Sequence, residues 1–155
     1  MSMAARLHSY LSQQHSHYDM LQHDPSMTSR EAARRAGVPP HLMAKSVVLD
    51  DLQGHWLMAV VPATRQVDLN KVHKLTKRHW RLVRENEFGT RFGDCAEGAI
   101  PPVGSAFEMD TLIDESLTAI KDLYFESGDH EALVHMSGEQ FLKLMPSAQR
   151  GRISE

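Results

Sequence analysis

The chain has 155 residues, of which 41% are hydrophobic and 24% are charged, and its formal net charge is −3. A chain of this length typically forms one domain with a substantial core, and the composition excludes a disordered protein. The single cysteine excludes an internal disulfide, and no apolar run approaches the roughly 18 residues of a membrane span. The N-terminus lacks the apolar stretch of a secretory signal, which favours a cytoplasmic protein, and the negative charge argues against a protein that coats duplex nucleic acid.

The first half of the chain predicts alternating helices and strands. Leu7 and Leu11 recur at helical spacing. Thr28 and Glu31 have the spacing of a capping box, and Gly37 is a natural helix terminator. The predicted elements are a helix at 3–14, a strand at 18–23, a helix at 28–37, a helical turn at 41–44 and strands at 46–49 and 56–61. The last two strands are almost continuously apolar, which indicates a sheet covered on both faces.

The second half continues with a helix that Asp68 can cap and that runs to about Lys77. The remaining predicted elements are strands at 106–112, 121–126 and 131–136, a helix at 137–144 and a loose tail from Pro146 onward. Helices interleave with strands without a strict βαβ order, so we expect an α/β fold in which helices pack around a mixed sheet.

The segment from Phe92 to Gly104 holds the only cysteine, two acids, three glycines and a Pro-Pro pair. Glycine permits positive φ and proline fixes φ, so this main chain is suited to cradle a ligand. Cys95 could act as a nucleophile, but Asp94 and Glu97 would raise the pKa of its thiol. We therefore interpret Cys95 as a buried spacer.

Lys45 lies where the helical turn meets the first apolar strand. It is either an ordinary strand-end surface residue or an ammonium beside a pocket that binds phosphate or carboxylate. The sequence has ten histidines, but it contains neither a His-Glu-x-x-His motif nor a Cys-x-x-Cys motif, so we expect no metal site.

A basic run follows Asp68. On a helix, Lys71, Lys74 and Arg78 would share one face, opposite Val72 and Leu75. This face is either a solvated helix surface, as runs of charged residues usually are, or a binding surface for a nucleic-acid backbone.

The motifs together resemble the YbaK/prolyl-tRNA editing-domain family. Their order and spacing carry the resemblance over about residues 15–144. The motifs are His23-Asp-Pro25, the Thr28-Ser-x-Glu-Ala-Ala helix, Ala44-Lys-Ser-Val-Val-Leu49, Met58-Ala-Val-Val-Pro62, Val67-Asp-Leu69, Gly98-Ala-Ile-Pro-Pro102 with Gly104, and Tyr124-Phe-Glu-Ser-Gly128. The resemblance implies a single compact α/β domain over residues 1–145, with a curved mixed β-sheet surrounded by helices and a flexible tail at 146–155.

The resemblance also implies an aminoacyl-tRNA deacylase that hydrolyses the ester of mischarged tRNA in trans. The implied catalytic residues are Lys45, Gly98 and Pro102. The implied substrate-binding residues are His23, Thr28, Ser46, Cys95, Ala99, Ile100, Pro101, Gly128 and His130. Ala99 stands where many relatives have glycine, which would narrow the pocket floor. Lys71, Lys74 and Arg78 would then bind the tRNA.

The expected partner is the acceptor end of a mischarged tRNA, with a transient contact to a synthetase, no membrane and no cofactor. Two other functions stay open: a non-catalytic binding module that kept the pocket, and a hydrolase of another small acylated compound. The complete loop around Gly98 and the presence of Lys45 favour an enzyme over the module, and the basic run favours tRNA over a small molecule.

Overall fold

The computed structural model describes residues 3–155; Met1 and Ser2, the start of the predicted domain, lie outside the described residues. The helices are α1 (Ala5–Gln13), α2 (Ser29–Ala36), α3 (Leu69–Thr76) and α4 (Gly138–Lys143). The strands are β1 (Asp19–Gln22), β2 (Met43–Asp50), β3 (Trp56–Pro62), β4 (Arg81–Leu82), β5 (Asp110–Asp114), β6 (Asp122–Glu126), β7 (Ala132–Ser137) and β8 (Gln149–Gly151). Single 3-10 turns lie at Pro40–Leu42, Glu85–Glu87, Gly104–Phe107 and Glu115–Ala119.

The strands form one mixed sheet, which confirms the predicted fold class. Its order is β1-β7-β6-β2-β3-β5-β8, and the short β4 also pairs with β2. The pairs β2–β6, β3–β5 and β5–β8 are parallel, and the remaining pairs are antiparallel.

Helices cover both faces of this sheet, as the apolar strands predicted. Successive side chains of a strand point to opposite faces. Met58 of β3 therefore packs in one cluster with Leu7 of α1, whereas Ala59 packs in another with Val72 of α3.

One edge of β2 is interrupted, and this interruption positions the site. Along its other edge β2 pairs with β3 from Ala44 to Asp50. On the interrupted edge it pairs with β6 only at Met43 and Ala44, and with β4 only at Leu49 and Asp50. On this edge, in the gap between β6 and β4, no strand of residues 3–155 pairs with Lys45–Val47. The sheet therefore has an opening there.

The predicted caps at the ends of α2 and α3 are largely confirmed. Thr28 Oγ1 accepts a hydrogen bond from Glu31 N at 3.1 Å, and Gly37 ends α2 in the left-handed conformation. The capping box is incomplete because the Glu31 carboxylate accepts from Arg35 Nε instead. Asp68 caps α3 through the amides of Asn70 and Lys71.

Three expectations about the elements were wrong. The turn expected at 41–44 ends at Leu42, and Met43 already belongs to β2. The strand expected at 106–112 begins later, at Asp110, because residues 104–107 form a 3-10 turn. The segment after Pro146 is not a loose tail, because β8 pairs with β5 and Ile153 is fully buried.

None of the helices within residues 3–155 has both the length and the apolar character needed to cross a membrane.

Candidate functional site

A cavity of about 550 Å³ lies at the opening beside β2. Its volume falls in the range of small-ligand sites. Four segments contribute most of its wall: residues 27–30 at the start of α2, residues 45–48 of β2, residues 82–88, and the loop from Gly98 to Pro102. The lining residues are Met27, Thr28, Ser29, Arg30, Lys45, Ser46, Val47, Val48, Ala63, Leu82, Val83, Glu85, Phe88, Gly98 and Ile100.

Lys45 is a half-buried cation on the wall of this cavity. Burial lowers the pKa of its ammonium, and the positive charge of Arg30 lowers it further. Two cations that face the same cavity favour an anionic ligand, whose binding would offset their mutual repulsion. The structure thus places the Lys45 ammonium beside a pocket, and its binding of phosphate or carboxylate stays a prediction.

The Gly98–Pro102 loop is attached to β2 by the residue that follows the lysine. Ser46 Oγ donates to the carbonyl oxygen of Ile100 at 2.9 Å. Lys45 and Ser46 are neighbours on a strand, so their side chains point to opposite faces. One residue therefore holds the loop while its neighbour faces the α2 side of the opening.

Gly98 has no room for a side chain. Its φ of +77° lies in the left-handed region, and a Cβ there would come within 2.8 Å of the Met27 carbonyl oxygen. The amide of Gly98 donates to Glu85 Oε2 at 2.9 Å. The Gly98 amide therefore already has an acceptor in the free protein, and it could bind a ligand only by releasing Glu85.

Sequence reasoning missed two charged residues of the cavity, Arg30 and Glu85. Among the lining residues within 3–155, Glu85 is the only acid. Arg30 occupies the unspecified position of the Thr28-Ser-x-Glu-Ala-Ala motif, and Glu85 stands in none of the motifs. The sequence signal that could have found Arg30 is its position in the first turn of a predicted helix. Glu85 has no such signal and is recognised only from the folded cavity.

The structure brings only part of the predicted active-site set onto the cavity wall. Lys45, Gly98, Thr28, Ser46 and Ile100 line the cavity. The predicted residues that do not line it are His23, Cys95, Ala99, Pro101, Pro102, Gly128 and His130. Ala99 is completely buried, so its methyl group lies in the core rather than on the pocket floor.

The environment of Cys95 supports the spacer interpretation. Burial and the nearby Asp94 carboxylate raise the pKa of its thiol to about 12, with burial as the larger cause. The thiol is therefore protonated at neutral pH, and a protonated thiol is a poor nucleophile. The expected direction of the shift is confirmed.

The predicted tRNA-binding residues do not form one helical face. Helix α3 ends at Thr76, and Lys77 is left-handed with φ of +62°, so Arg78 lies beyond the helix. Arg78 Nη1 pairs with Asp51 Oδ2 at 3.3 Å. Lys71 Nζ donates to the carbonyl oxygen of Ser154 at 2.9 Å, whereas Lys74 is exposed.

A second cavity, of about 600 Å³, lies between α3 and β5 and includes Arg78 and Trp80. It contains neither a lysine nor any residue of the Gly98–Pro102 loop. The cavity beside β2 is therefore the better candidate site, although it is slightly smaller.

The fold and this cavity define the class of protein: an α/β domain whose interrupted mixed sheet opens onto a cavity of small-ligand size lined by two cations and a glycine-containing loop. Comparison with known proteins then identifies the family. The model of the aminoacyl-tRNA editing domain matches residues 23–144, and the chain belongs to this family.

Solved structures with the same fold include three informative examples. A hypothetical protein is 23% identical, with a TM-score of 0.85 over 97% of this chain and 99% of that one. A candidate trans-editing enzyme for prolyl tRNA synthetase is 25% identical, with a TM-score of 0.83 over 98% and 96%. A candidate signal transduction protein from Marinobacter aquaeolei VT8 is 17% identical, with a TM-score of 0.80 over 99% of this chain and 31% of that one. No curated protein sequence matches the chain significantly.

Proposed function

We propose that this protein is an aminoacyl-tRNA deacylase that acts in trans, hydrolysing the ester of a mischarged tRNA in the cavity beside β2. The observation that carries the proposal is the position of Lys45, a half-buried ammonium in the unpaired stretch of β2, in the wall of the same cavity as Gly98 and Ile100 of the loop. Family membership and the similarity to a candidate trans-editing enzyme support the same activity.

The charges of the cavity fit the chemistry of an aminoacylated 3′ end. Such an end carries phosphate anions and, on the amino acid, an α-ammonium group. Lys45 and Arg30 offer two cations for the phosphate, and Glu85 offers one carboxylate for the ammonium. A neutral acyl ester would leave these charges unpaired, which favours an aminoacyl substrate.

The reaction needs no covalent nucleophile from the protein, because an aminoacyl ester is already activated. The oxygen of a water molecule bonds to the carbonyl carbon and gives up a proton, the bond from that carbon to the ribose oxygen breaks, and the ribose oxygen takes up that proton, so the products are a free amino acid and a ribose hydroxyl group. The protein must position the water and stabilise the developing negative charge. We assign positioning of the phosphate or carbonyl side to Lys45 and of the acyl group to the Gly98–Pro102 loop.

The basic residues after Asp68 are proposed as a secondary contact with the tRNA. Lys74 is exposed and free to meet a phosphate, and Lys71 and Arg78 would have to exchange their present partners, Ser154 and Asp51. A transient contact with a synthetase, which would hand over the mischarged tRNA, is part of the same proposal.

A deacylation screen tests the proposed function. The purified protein, its Lys45→Ala variant and a Lys121→Ala control are incubated with a panel of mischarged tRNAs and with small amino-acid esters. Lys121 is an exposed lysine outside the cavity, so its variant matches the loss of one positive charge.

We expect the parent and the control to hydrolyse at least one mischarged tRNA, and Lys45→Ala to lose most of that activity while remaining folded. Equal rates for Lys45→Ala and the parent would remove Lys45 from the mechanism. Binding of tRNA without hydrolysis would identify a binding module instead. Hydrolysis of the small esters alone would identify a hydrolase of another acylated compound.

A further inference from the structure

Glu126 and His130 form a buried pair behind the Gly98–Pro102 loop. Glu126 ends β6, and His130 follows in the connection to β7. Their side chains are 2% and 8% exposed, and His130 Nδ1 lies 3.2 Å from Glu126 Oε2. Within residues 3–155, neither this nitrogen nor either oxygen of the carboxyl group makes a hydrogen bond, so the 3.2 Å contact brings the two groups together without aligning them as donor and acceptor. Buried polar groups are costly unless they are paired, so these two groups depend on each other.

The other ring nitrogen of His130 reaches the loop. His130 Nε2 is hydrogen-bonded to the carbonyl oxygen of Glu97, the residue that precedes Gly98. The same nitrogen lies 3.3 Å from the place where a Gly98 Cβ would be. A carbonyl oxygen can only accept, so Nε2 must carry a hydrogen. The imidazole ring of His130 thus holds the peptide between Glu97 and Gly98 in place through this hydrogen bond.

A proton between Nδ1 and the carboxyl group is needed to turn this contact into a hydrogen bond, and the burial of Glu126 favours the carboxyl group as its carrier. With hydrogen on Nε2, a neutral ring presents a lone pair at Nδ1. A charged carboxylate facing that lone pair would be two acceptors in contact. A neutral Glu126 side chain resolves the conflict, because its O–H group can donate to Nδ1.

We infer that protonated Glu126 and His130 act as one positioning unit, in which the acid fixes the ring and the ring fixes the Glu97–Gly98 peptide for hydrolysis. The inference rests on the function proposed for the cavity. Neither residue lines the cavity, so both would act through the loop rather than on the substrate.

The surroundings of Glu126 favour its neutral form. Burial raises the pKa of Glu126 to about 8, and the negative charge of Asp129 adds to the effect. Asp129 is itself buried and accepts hydrogen bonds from Ser127 Oγ and from the amides of Glu131 and Ala132. The two other segments at this place contribute uncharged groups: the amide of Ala96 donates to Gly128 O, and the amide of Ala4 donates to Ser127 O.

The unit should therefore lose its proton as the pH rises through about 8. The resulting carboxylate would repel the Nδ1 lone pair, the ring would turn, and Glu97 would lose its donor. Misplacing a reacting group by about 1 Å can cost up to about 100-fold in rate. We accordingly expect kcat rather than KM to fall on the alkaline side.

The decisive variant is Glu126→Gln, because a glutamine amide can donate to Nδ1 at every pH. Asp122→Asn is the matched control, since Asp122 pairs with His135 at 3.0 Å in another acid–histidine contact that is exposed. We expect Glu126→Gln to keep the activity of the parent below about pH 8 and to lose its alkaline decrease in kcat. Asp122→Asn should retain that decrease.

A measurement on the free protein separates this inference from the proposed function. In NMR spectra of the parent, the His130 ring should be in the Nε2–H form, and the Gly98 amide signal should move with a midpoint near pH 8. In Glu126→Gln this movement should disappear. These signals need no tRNA, so they test the unit even if the protein deacylates nothing. A Gly98 amide that does not respond to pH in the parent, or a pH profile of Glu126→Gln that equals the parent's, would overturn the inference.

Discussion

Substitution of Gly98 by alanine tests the geometry of the loop most directly. A left-handed backbone costs a non-glycine residue about 1–2 kcal/mol. At Gly98, the added Cβ would also lie 2.8 Å from the Met27 carbonyl oxygen, which belongs to the main chain and cannot rotate away. Relief of such an overpacked contact typically costs a further ~1–3 kcal/mol.

Gly89→Ala is the matched control. Gly89 has φ of +60°, and a Cβ there would meet no atom within 4 Å. The control thus carries the conformational cost without the contact, and the difference between the two variants measures the contact alone. For a protein of this size, each kcal/mol lowers the melting temperature by about 2–4 °C.

Both variants are compared by thermal unfolding and by initial rates on one mischarged tRNA. We expect Gly98→Ala to be less stable than Gly89→Ala by ~1–3 kcal/mol and to lose most deacylation, because the Glu97–Gly98 peptide must move. Gly98→Val, whose branched side chain adds bulk, should be inactive. If Gly98→Ala matched Gly89→Ala in both stability and rate, the loop would not be fixed as described, and its role in the site would have to be abandoned.

Four further substitutions test separate parts of the site. Lys45→Met should abolish deacylation yet raise the melting temperature at neutral pH. Burial and Arg30 lower the pKa of Lys45, so its charged form destabilises the folded state below that pKa. An unchanged or lower melting temperature would contradict this environment of Lys45. Cys95→Ala should stay active, and alkylation of the parent at pH 8 should be slow because the pKa of the thiol is about 12; loss of activity at constant stability would restore the nucleophile. Ala99→Gly should lower stability by about 1 kcal/mol and change the rates on all mischarged tRNAs equally, since its methyl group is buried; a change in substrate preference would return Ala99 to the pocket floor. Lys74→Glu should weaken tRNA binding at low salt and reduce the dependence of log K on log salt by about 1, whereas an unchanged slope would exclude a phosphate contact.

Local sequence signals explain which elements could be predicted. The caps at Thr28, Asp68 and Gly37 satisfy helix ends through residues within a few positions, so they are legible in the sequence. Pairing of β8 with β5 joins segments far apart in the chain, and no local pattern in Gln149–Gly151 marks a strand. The exposed-looking tail was misread for that reason, although Ile153 is an apolar residue that needed burial.

The residues of the site also divide into those that a local motif marks and those that only the folded contacts reveal. Lys45 and Gly98 could be predicted because each stands in a motif, beside an apolar strand and within a glycine- and proline-containing loop. Glu85 joins the site through the folded chain, which brings residues 82–88 to the cavity and lets Gly98 N donate to its carboxylate. The role that we infer for His130 depends on its hydrogen bond to the carbonyl oxygen of Glu97, which is a property of the folded contact and not of the sequence.

The interruption of β2 connects the stability of this fold to its proposed function. Unpaired main-chain groups within a sheet are normally a liability, because buried N–H and C=O groups need partners. Here the Ser46 side chain supplies one link to the loop, and the opening between β6 and β4 becomes the wall of the cavity, where a ligand can reach the unpaired edge. The pleat of β2 sends Lys45 to one face and Ser46 to the other, so a shift of one residue against β3 would exchange the two and disable both. The β2–β3 register, with Lys45 opposite Val61, is therefore as much a part of the site as the side chains themselves.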